Sequence, residues 1–360
     1  MKNIFKILPL VVVMVFLVAC GTENPGQDNP EQENTDIEIS GDNMEQYLSE
    51  LKAFSGNEKN FVFSPISLNS ALYMYKYTED GESSTKAIDK FLFDRDYLAY
   101  EYDTPTYTST NRIWKNEKVK VKFDPEVEEF VYEMDMSDSQ KATKEKNDFV
   151  AEKTNNFISK TPTVFSEQTV YDIMNVTYFK DTWLNGDLGQ ESQKTDFNNI
   201  DGSKTGVKML TCGTEEYYEN DTAYGVPIKY SNGCSMILIL PKGDFEDVSF
   251  KELLDDKQYN TMGVNVRFPE FETESQFDLT QYFDQMGIGL SGKGILFSQI
   301  AKIKVDKKGT EAAAVTEMLR ETALAPEGEP LNLLFDRPFY YAIYDYVNDD
   351  VAFMGKVSQL

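Results

Sequence analysis

Gly309-Thr310-Glu311-Ala312-Ala313-Ala314-Val315-Thr316 is the most informative run in this chain of 360 residues. Two local readings compete for it. Alanine is the best helix former, so the run fits a helical turn. Read as a strand, its side chains alternate between two faces. One face then carries Thr310, Ala312, Ala314, Thr316 and Met318, all small or apolar. The other carries Glu311, Ala313, Val315, Glu317 and Glu321, with Leu319 among them. The first set can be buried without burying a charge, and the second can face water.

Strand signals surround this run. Upstream lie Ile300 to Val305, Val264 to Phe268, Ser235 to Leu240, Val226 to Ile228 and Lys208 to Leu210. Val170 to Trp183 is dense in β-branched and aromatic residues, and Met236 to Leu240 is continuously apolar, as a strand buried on both faces requires. Downstream come Leu333 to Phe335, Tyr340 to Tyr346 and Val351 to Lys356. The first half reads differently. Helical spacing is expected over Asn43 to Phe54, from a Ser67 cap to Lys76, from Ser83 or Ser84 to Leu92, over Asp124 to Met134, Asp148 to Ile158, and later Phe277 to Met286. Phe61 to Phe63 and Thr110 to Trp114 read as strands, and Asp94 to Thr110 has no clear element. Helices first and strands mostly after favour an α+β fold with large antiparallel sheets over repeating βα units. There is no internal repeat.

Composition removes several functions. The net charge is −26, which argues against nucleic acid as a partner, because phosphate contacts need Lys and Arg. The chain contains no His. That excludes Ser-His-Asp and Cys-His catalysis, His-containing zinc sites and His general bases together. Paired carboxylates or a Ser-Lys pair would still permit an enzyme, but no motif for either is present. The expectation is no enzyme, no metal and no cofactor. Cys212 and Cys234 read as buried free thiols, although an oxidising compartment would let them pair.

The N-terminus places the protein. Lys2 and Lys6 precede an apolar run, Leu8 to Ala19, that stops at Cys20 and is too short to span a bilayer. Leu17-Val18-Ala19-Cys20 resembles a bacterial lipobox, which implies a lipoprotein signal peptide over 1–19 and a diacylglyceryl group on Cys20. An ordinary secretory signal with a chance cysteine is the alternative. Gly21 to Asp36 is polar and acidic and cannot bury enough surface to offset its ordering entropy, so 20–40 reads as a flexible tether before a folded domain over 41–360. The expected location is extracytoplasmic, lipid-anchored to the bacterial membrane or cell surface.

From Asn43 to the end, a series of segments resembles serpins, in serpin order. They are Asn60-Phe61-Val62-Phe63-Ser64-Pro65-Ile66-Ser67; Asn111-Arg112-Ile113-Trp114; Phe149-Val150 with Thr154 and Asn156; and Asn175 to Trp183, which contains Phe179 and Lys180. Val207 to Leu210, Phe268-Pro269-Glu270-Phe271, Arg337-Pro338-Phe339 and Phe353 to Val357 follow. Gly309 to Thr316 resembles the family's hinge, upstream in its exposed reactive loop, here about 309–334.

The resemblance implies one large, mostly antiparallel mixed sheet, two smaller sheets and about eight helices. It implies a monomeric suicide inhibitor of serine proteases, and of cysteine proteases by the same chemistry. The protease attacks the loop as substrate and forms an acyl-enzyme. The cleaved loop then enters the main sheet as a new strand and distorts the protease before deacylation. The region where the sheet opens is implied to include Ser64, Ser67, Asn175, Lys180, Trp183 and Gln299. Counting from Gly309 places the reactive bond at Ala323-Leu324, suited to elastase-like or subtilisin-like enzymes, with Thr322 and Arg320 as alternative reactive residues. Counting back from Phe335 lands near Glu327, so the loop is longer than usual.

The chain departs from the family pattern at several points. Lys307 and Lys308 stand where acidic residues usually precede the hinge. Gln299 replaces a His, and Phe149 and Asn156 replace Trp and Gly. The segment from Leu92 to Thr110 is short and poor in basic residues, so no heparin-type cofactor is expected. A non-inhibitory serpin and a solute-binding lipoprotein remain as alternatives. The latter predicts a two-lobed fold of repeated βα units.

Overall fold

Met44, Tyr47, Leu48 and Leu51 recur at helical spacing and are all buried, which sets α1 (Gly41–Ser55) against the core. The computed structural model describes residues 41–93, 95–100, 102–103, 106–251, 253–255, 257–290, 292–310 and 329–360. The signal peptide, Cys20 and the tether lie outside them. So do Glu311, Ala312, Ala313, Ala314, Val315 and Thr316, and the reactive-bond candidates Arg320, Thr322, Ala323 and Leu324.

After β1 (Asn60–Phe63), Ser64 is extended and its Oγ accepts from the Ser67 amide at 3.2 Å, while Pro65 opens α2 (Pro65–Lys76). The cap is therefore Ser64 rather than Ser67. Proline lacks an amide hydrogen and fits the first helical position, where none is needed. α3 (Thr85–Ile88) is shorter than the sequence suggests. β2 (Tyr102–Asp103), β3 (Tyr107–Asn116) and β4 (Val131–Met134) follow. The helix expected over Asp124 to Met134 is instead a 3₁₀ turn, Glu128–Phe130, leading into β4, whose backbone pairs in parallel with Ile113 to Asn116. α4 (Ser139–Lys153) starts earlier than Asp148 because Asp138 caps it, accepting from the Lys141 amide at 3.1 Å. It ends at Asn155 and Asn156, whose φ values of 49° and 62° break the helix.

The rest is mainly strand. β5 (Tyr171–Phe179), β6 (Asp181–Thr182), β7 (Gly189–Asn198), β8 (Lys204–Glu219), β9 (Ala223–Lys229) and β10 (Cys234–Pro241) run in succession. β11 (Lys257–Pro269) and β12 (Phe271–Asp278) precede α5 (Thr280–Gln285). The expected Phe277 start of that helix belongs to β12, which pairs with the next long strand. β13 (Ile295–Asp306), β14 (Gly309–Thr310), β15 (Leu331–Leu334), β16 (Phe339–Asp345) and β17 (Asp350–Val357) complete the described chain.

These strands form two sheets. One has nine strands, in the order β1-β17-β16-β10-β9-β8-β11-β15 with β7 on β8. The other has eight, its long strands ordered β4-β3-β5-β13-β12, and both β3–β4 and β5–β13 are parallel. The two smaller sheets expected from the sequence are thus joined into one. β8 and β11, 16 and 13 residues long, run through both, with a register shift between Tyr259 and Val264 marking the junction. Among the described residues there are five α-helices and four 3₁₀ segments rather than about eight helices. The α+β class stands.

One hydrophobic cluster fills the space between the sheets with α1 and α2, and includes Tyr171, Ile173, Ala301 and Ile303. A second lies between α4 and the opposite face of the eight-stranded sheet, with Trp114, Met174 and Val176 facing Ala142, Val150 and Ile158. Successive residues of β5 alternate between the two cores, so that sheet is buried on both sides around β5 and β13.

Candidate functional site

β5 and β13 are parallel neighbours at the centre of the eight-stranded sheet. Their direct pairing covers only Tyr171, Asp172 and Ile173 with Ile295, Leu296 and Phe297. Beyond those three pairs their ladders run outward, β5 to β3 and β13 to β12. At the far end β14 bridges the gap: Gly309 and Thr310 pair with Asp306 and Val305 on one side and with Thr182 and Asp181 on the other, antiparallel to both. The seam between β5 and β13 is therefore joined at its foot and spanned at its top by the first two residues of a third strand.

Halfway along, four of the residues implied by the resemblance come together. The Gln299 side chain closes a pair of hydrogen bonds on the Ser64 backbone: Oε1 accepts from the amide at 2.8 Å and Nε2 donates to the carbonyl at 2.9 Å. Ser67 Oγ donates to the Asn175 carbonyl at 3.0 Å. Asn175 Nδ2 donates to Ser109 Oγ at 3.0 Å and to Asn111 Oδ1 at 2.9 Å, and its Oδ1 accepts from Thr177 Oγ1 at 2.6 Å. This network ties β1, α2, β3, β5 and β13 beneath the seam. Like a neutral imidazole, the Gln299 side chain can donate and accept at once, and unlike an imidazole it takes up no charge.

The other two, Lys180 and Trp183, lie at the top of the seam. Trp183 stacks on Tyr230 with centroids 4.5 Å apart and planes 12° apart, and its Nε1 donates to the Asp306 carbonyl at 3.1 Å. The Tyr230 hydroxyl meets Thr310 Oγ1 at 2.7 Å. Gly309 has φ +144°, and a Cβ there would lie 2.0 Å from the Asp181 carbonyl oxygen. No side chain fits between β13 and β6 at that point, so the position requires glycine. Lys307 and Lys308 are surface residues: the Lys307 ammonium is 4.0 Å from Asp187, and Lys308 turns back to donate its amide to Asp306 Oδ1 at 2.8 Å.

One constellation escapes motif reading. Lys146 of α4 is fully buried, 2.9 Å from Asp172 Oδ2, also donates to Thr163 Oγ1, and lies over the Phe165 ring at 4.2 Å. Asp172 is the middle residue of the three pairs that join β5 to β13. α4 is thus pinned to the sheet at the foot of the seam. A signal was available: Ala142, Lys146 and Val150 recur every fourth residue, so the lysine stands in the buried stripe of its helix. Burial raises the Asp172 carboxyl, and Lys146 pulls it back toward the ionised form.

The electrostatics of the seam do not suit acid–base catalysis. Its polar groups are amides, hydroxyls and one buried ion pair, and no described group of three Cys, Asp or Glu residues is placed to hold a metal ion. Cys212 and Cys234 are free, and burial pushes the Cys212 thiol up to about 12, so neither is set up as a nucleophile. The arrangement is suited to a mechanical task, admitting a strand between β5 and β13.

The family model described as serpin, serine protease inhibitor, matches residues 45–360. An uncharacterized serpin-like protein of Thermococcus kodakarensis is 26% identical, and the match covers 98% of each chain. Serpin A3-6 of Bos taurus is 25% identical over 90% of this chain and 87% of its own. Among solved structures, the thermophilic serpin tengpin in its native state superimposes with a TM-score of 0.73 at 21% identity, covering 94% of this chain and 97% of that one. Thyroxine-binding globulin in complex with thyroxine gives 0.71, also at 21% identity, covering 88% and 98%.

Proposed function

Because the chain belongs to the serpin family, we propose that it is a suicide inhibitor of elastase-like or subtilisin-like serine proteases, tethered outside the cell by a lipid on Cys20. The observation that carries this reading is β14. Gly309 and Thr310 already pair as the opening residues of a strand between β13 and β6. The sequence beyond them alternates small and solvent-compatible residues, as a strand entering a sheet must. The protease supplies the catalytic groups. Its serine attacks the Ala323 carbonyl, forms an ester and releases the Leu324 amine. Entry of the loop then carries that ester toward the foot of the sheet before water completes hydrolysis. The same sequence of events applies to a thiol protease.

Lys307 and Lys308 favour a second reading, in which the loop is cut but enters too slowly to trap the enzyme. The two are separated by incubating the full chain with pancreatic elastase, subtilisin and trypsin, followed by denaturing gels and mass spectrometry. A band at the summed mass, with a released fragment beginning at Leu324, supports the inhibitor. Loop cleavage with no covalent band from any of the three supports the substrate-like alternative.

A further inference from the structure

β8 and β9 form a hairpin with a short ladder. They pair only through Tyr218 with Gly225 and Glu219 with Tyr224. Continued in the same register, Glu216 would face Pro227 and Thr214 would face Lys229. Pro227 has no amide hydrogen to give to such a ladder, and proline within a sheet belongs on an unpaired edge. From there the two strands part. β9 keeps β10 on its other side, with Pro227 opposite Ile237. β8 keeps β11, with Thr214 opposite Val264 and Cys212 opposite Val266. β7 follows β8 only as far as Thr211. Two facing strand edges, 212–217 and 226–229, are thus left without a partner strand among the described residues. Such edges carry unmet backbone donors and acceptors.

A cavity of about 350 Å³ lies in this wedge. Its apex is the Tyr218–Gly225 pair. Its base is closed by the turn from Trp183 to Gly189, where the Leu184 amide donates to the Lys229 carbonyl at 2.9 Å and Gly189 lies opposite Thr211. Closed at both ends, the wedge admits a short extended segment laid in from the surface, not a passing chain. Trp183, Pro227 and Ile228 are buried in its walls, Leu188 is half-buried there, and burial keeps the Cys212 thiol neutral.

The charges lining the wedge are unequal. Lys229 is held by Glu216 at 3.0 Å. Asp187, in the closing turn, has only the Lys307 ammonium at 4.0 Å, which leaves its oxygens open to a closer donor. The wedge therefore offers two strand edges, an apolar wall and an open carboxylate at its base. That carboxylate favours an ammonium over a carboxylate or phosphate, for which no open cation is at hand.

We infer that the wedge binds the amino-terminal end of a short apolar peptide. The peptide backbone completes the ladder that Pro227 interrupts, its first side chain packs on Leu188 and Ile228, and its ammonium reaches Asp187. The closing turn also holds the residues before β14. The Leu188 amide donates to the Lys307 carbonyl at 2.7 Å, the Trp183 amide to the Lys308 carbonyl at 3.4 Å, and the Trp183 indole to the Asp306 carbonyl. A bound peptide accordingly stiffens residues 306–308 as well.

The test is calorimetric titration and amide hydrogen exchange on the intact full chain with no protease present. The probes are the tripeptide amide Leu-Ala-Ala and its N-acetylated form. The free amine is expected to bind and to raise protection over 212–217, 226–229 and 306–308. Acetylation, or Asp187→Asn in the protein, is expected to weaken binding by about tenfold, as loss of one charge-assisted hydrogen bond does. Acetylation is expected to have no further effect on Asp187→Asn. An Asp187→Asn denaturant midpoint equal to wild type shows that the fold is intact. A free peptide that does not bind, equal binding of the acetylated form to wild type, or protection that rises only outside the wedge overturns the proposal.

Discussion

Gly309 opens the short strand that pairs with both β13 and β6. Its φ is +144°, and any Cβ there would sit 2.0 Å from the Asp181 carbonyl oxygen, which leaves no room for substitution. Gly309→Ala is therefore expected to cost about 1–3 kcal/mol of native stability, read as a lower denaturant midpoint, and to lower the yield of covalent complex. Much at this scale is legible in the sequence. The Ser64, Ser67, Asn175 and Gln299 group assembles around the seam from positions up to 235 residues apart in the chain. A family pattern can name such residues, but spacing alone cannot show that Gln299 bonds both the amide and the carbonyl of Ser64. Sequence reading misplaces the helix cap by three residues because Ser64 and Ser67 both satisfy the local rule, and only the position of Pro65 decides between them.

At the scale of elements, strands rich in β-branched and aromatic residues are the most legible, because their composition agrees with their burial. β7 escapes such reading: its sequence Gly189 to Asn198 is polar and mostly exposed, and it is a strand because it pairs with β8. The same tertiary pairing turns the end of Asp124 to Met134 from an expected helix into β4. α4 is expected too late in the chain because its capping Asp138 precedes a lysine-rich turn with little apolar periodicity. Its attachment to the sheet through Lys146 and Asp172 gives a direct prediction. Lys146→Met leaves a buried, uncompensated carboxylate and is expected to destabilise the protein by about 3–5 kcal/mol. Lys146→Met combined with Asp172→Leu is expected to recover most of that loss in urea or guanidinium unfolding. If the pair also restrains the seam, the double variant traps elastase at a different ratio of inhibitor to enzyme while keeping its stability.

At the scale of the whole molecule, the absence of His leaves buried carboxylates to set the pH dependence between pH 5 and 9. Burial raises Glu50 to about 8, and its Oε2 has no hydrogen-bond partner among the described residues. An unfolded chain releases that proton near pH 4.3. Between the two values the folded chain holds a proton that the unfolded chain has lost, so stability falls as pH rises through this window. Asp350, raised to about 6 by burial, acts in the same direction over a narrower range. Glu50→Gln is expected to match wild type near pH 5 and to exceed it by a few kcal/mol, on the order of the linkage energy, at pH 9. Denaturant midpoints at the two pH values measure the difference.

The central claim is that the seam between β5 and β13 receives the loop as a strand when a protease attacks. Amide hydrogen exchange over residues 174–180 and 299–304, in the full chain before and after reaction with elastase, tests it most directly. Newly formed strand pairing predicts a marked rise in protection along both edges in the covalent complex. Cleavage of the loop with protection unchanged along both edges would contradict the account.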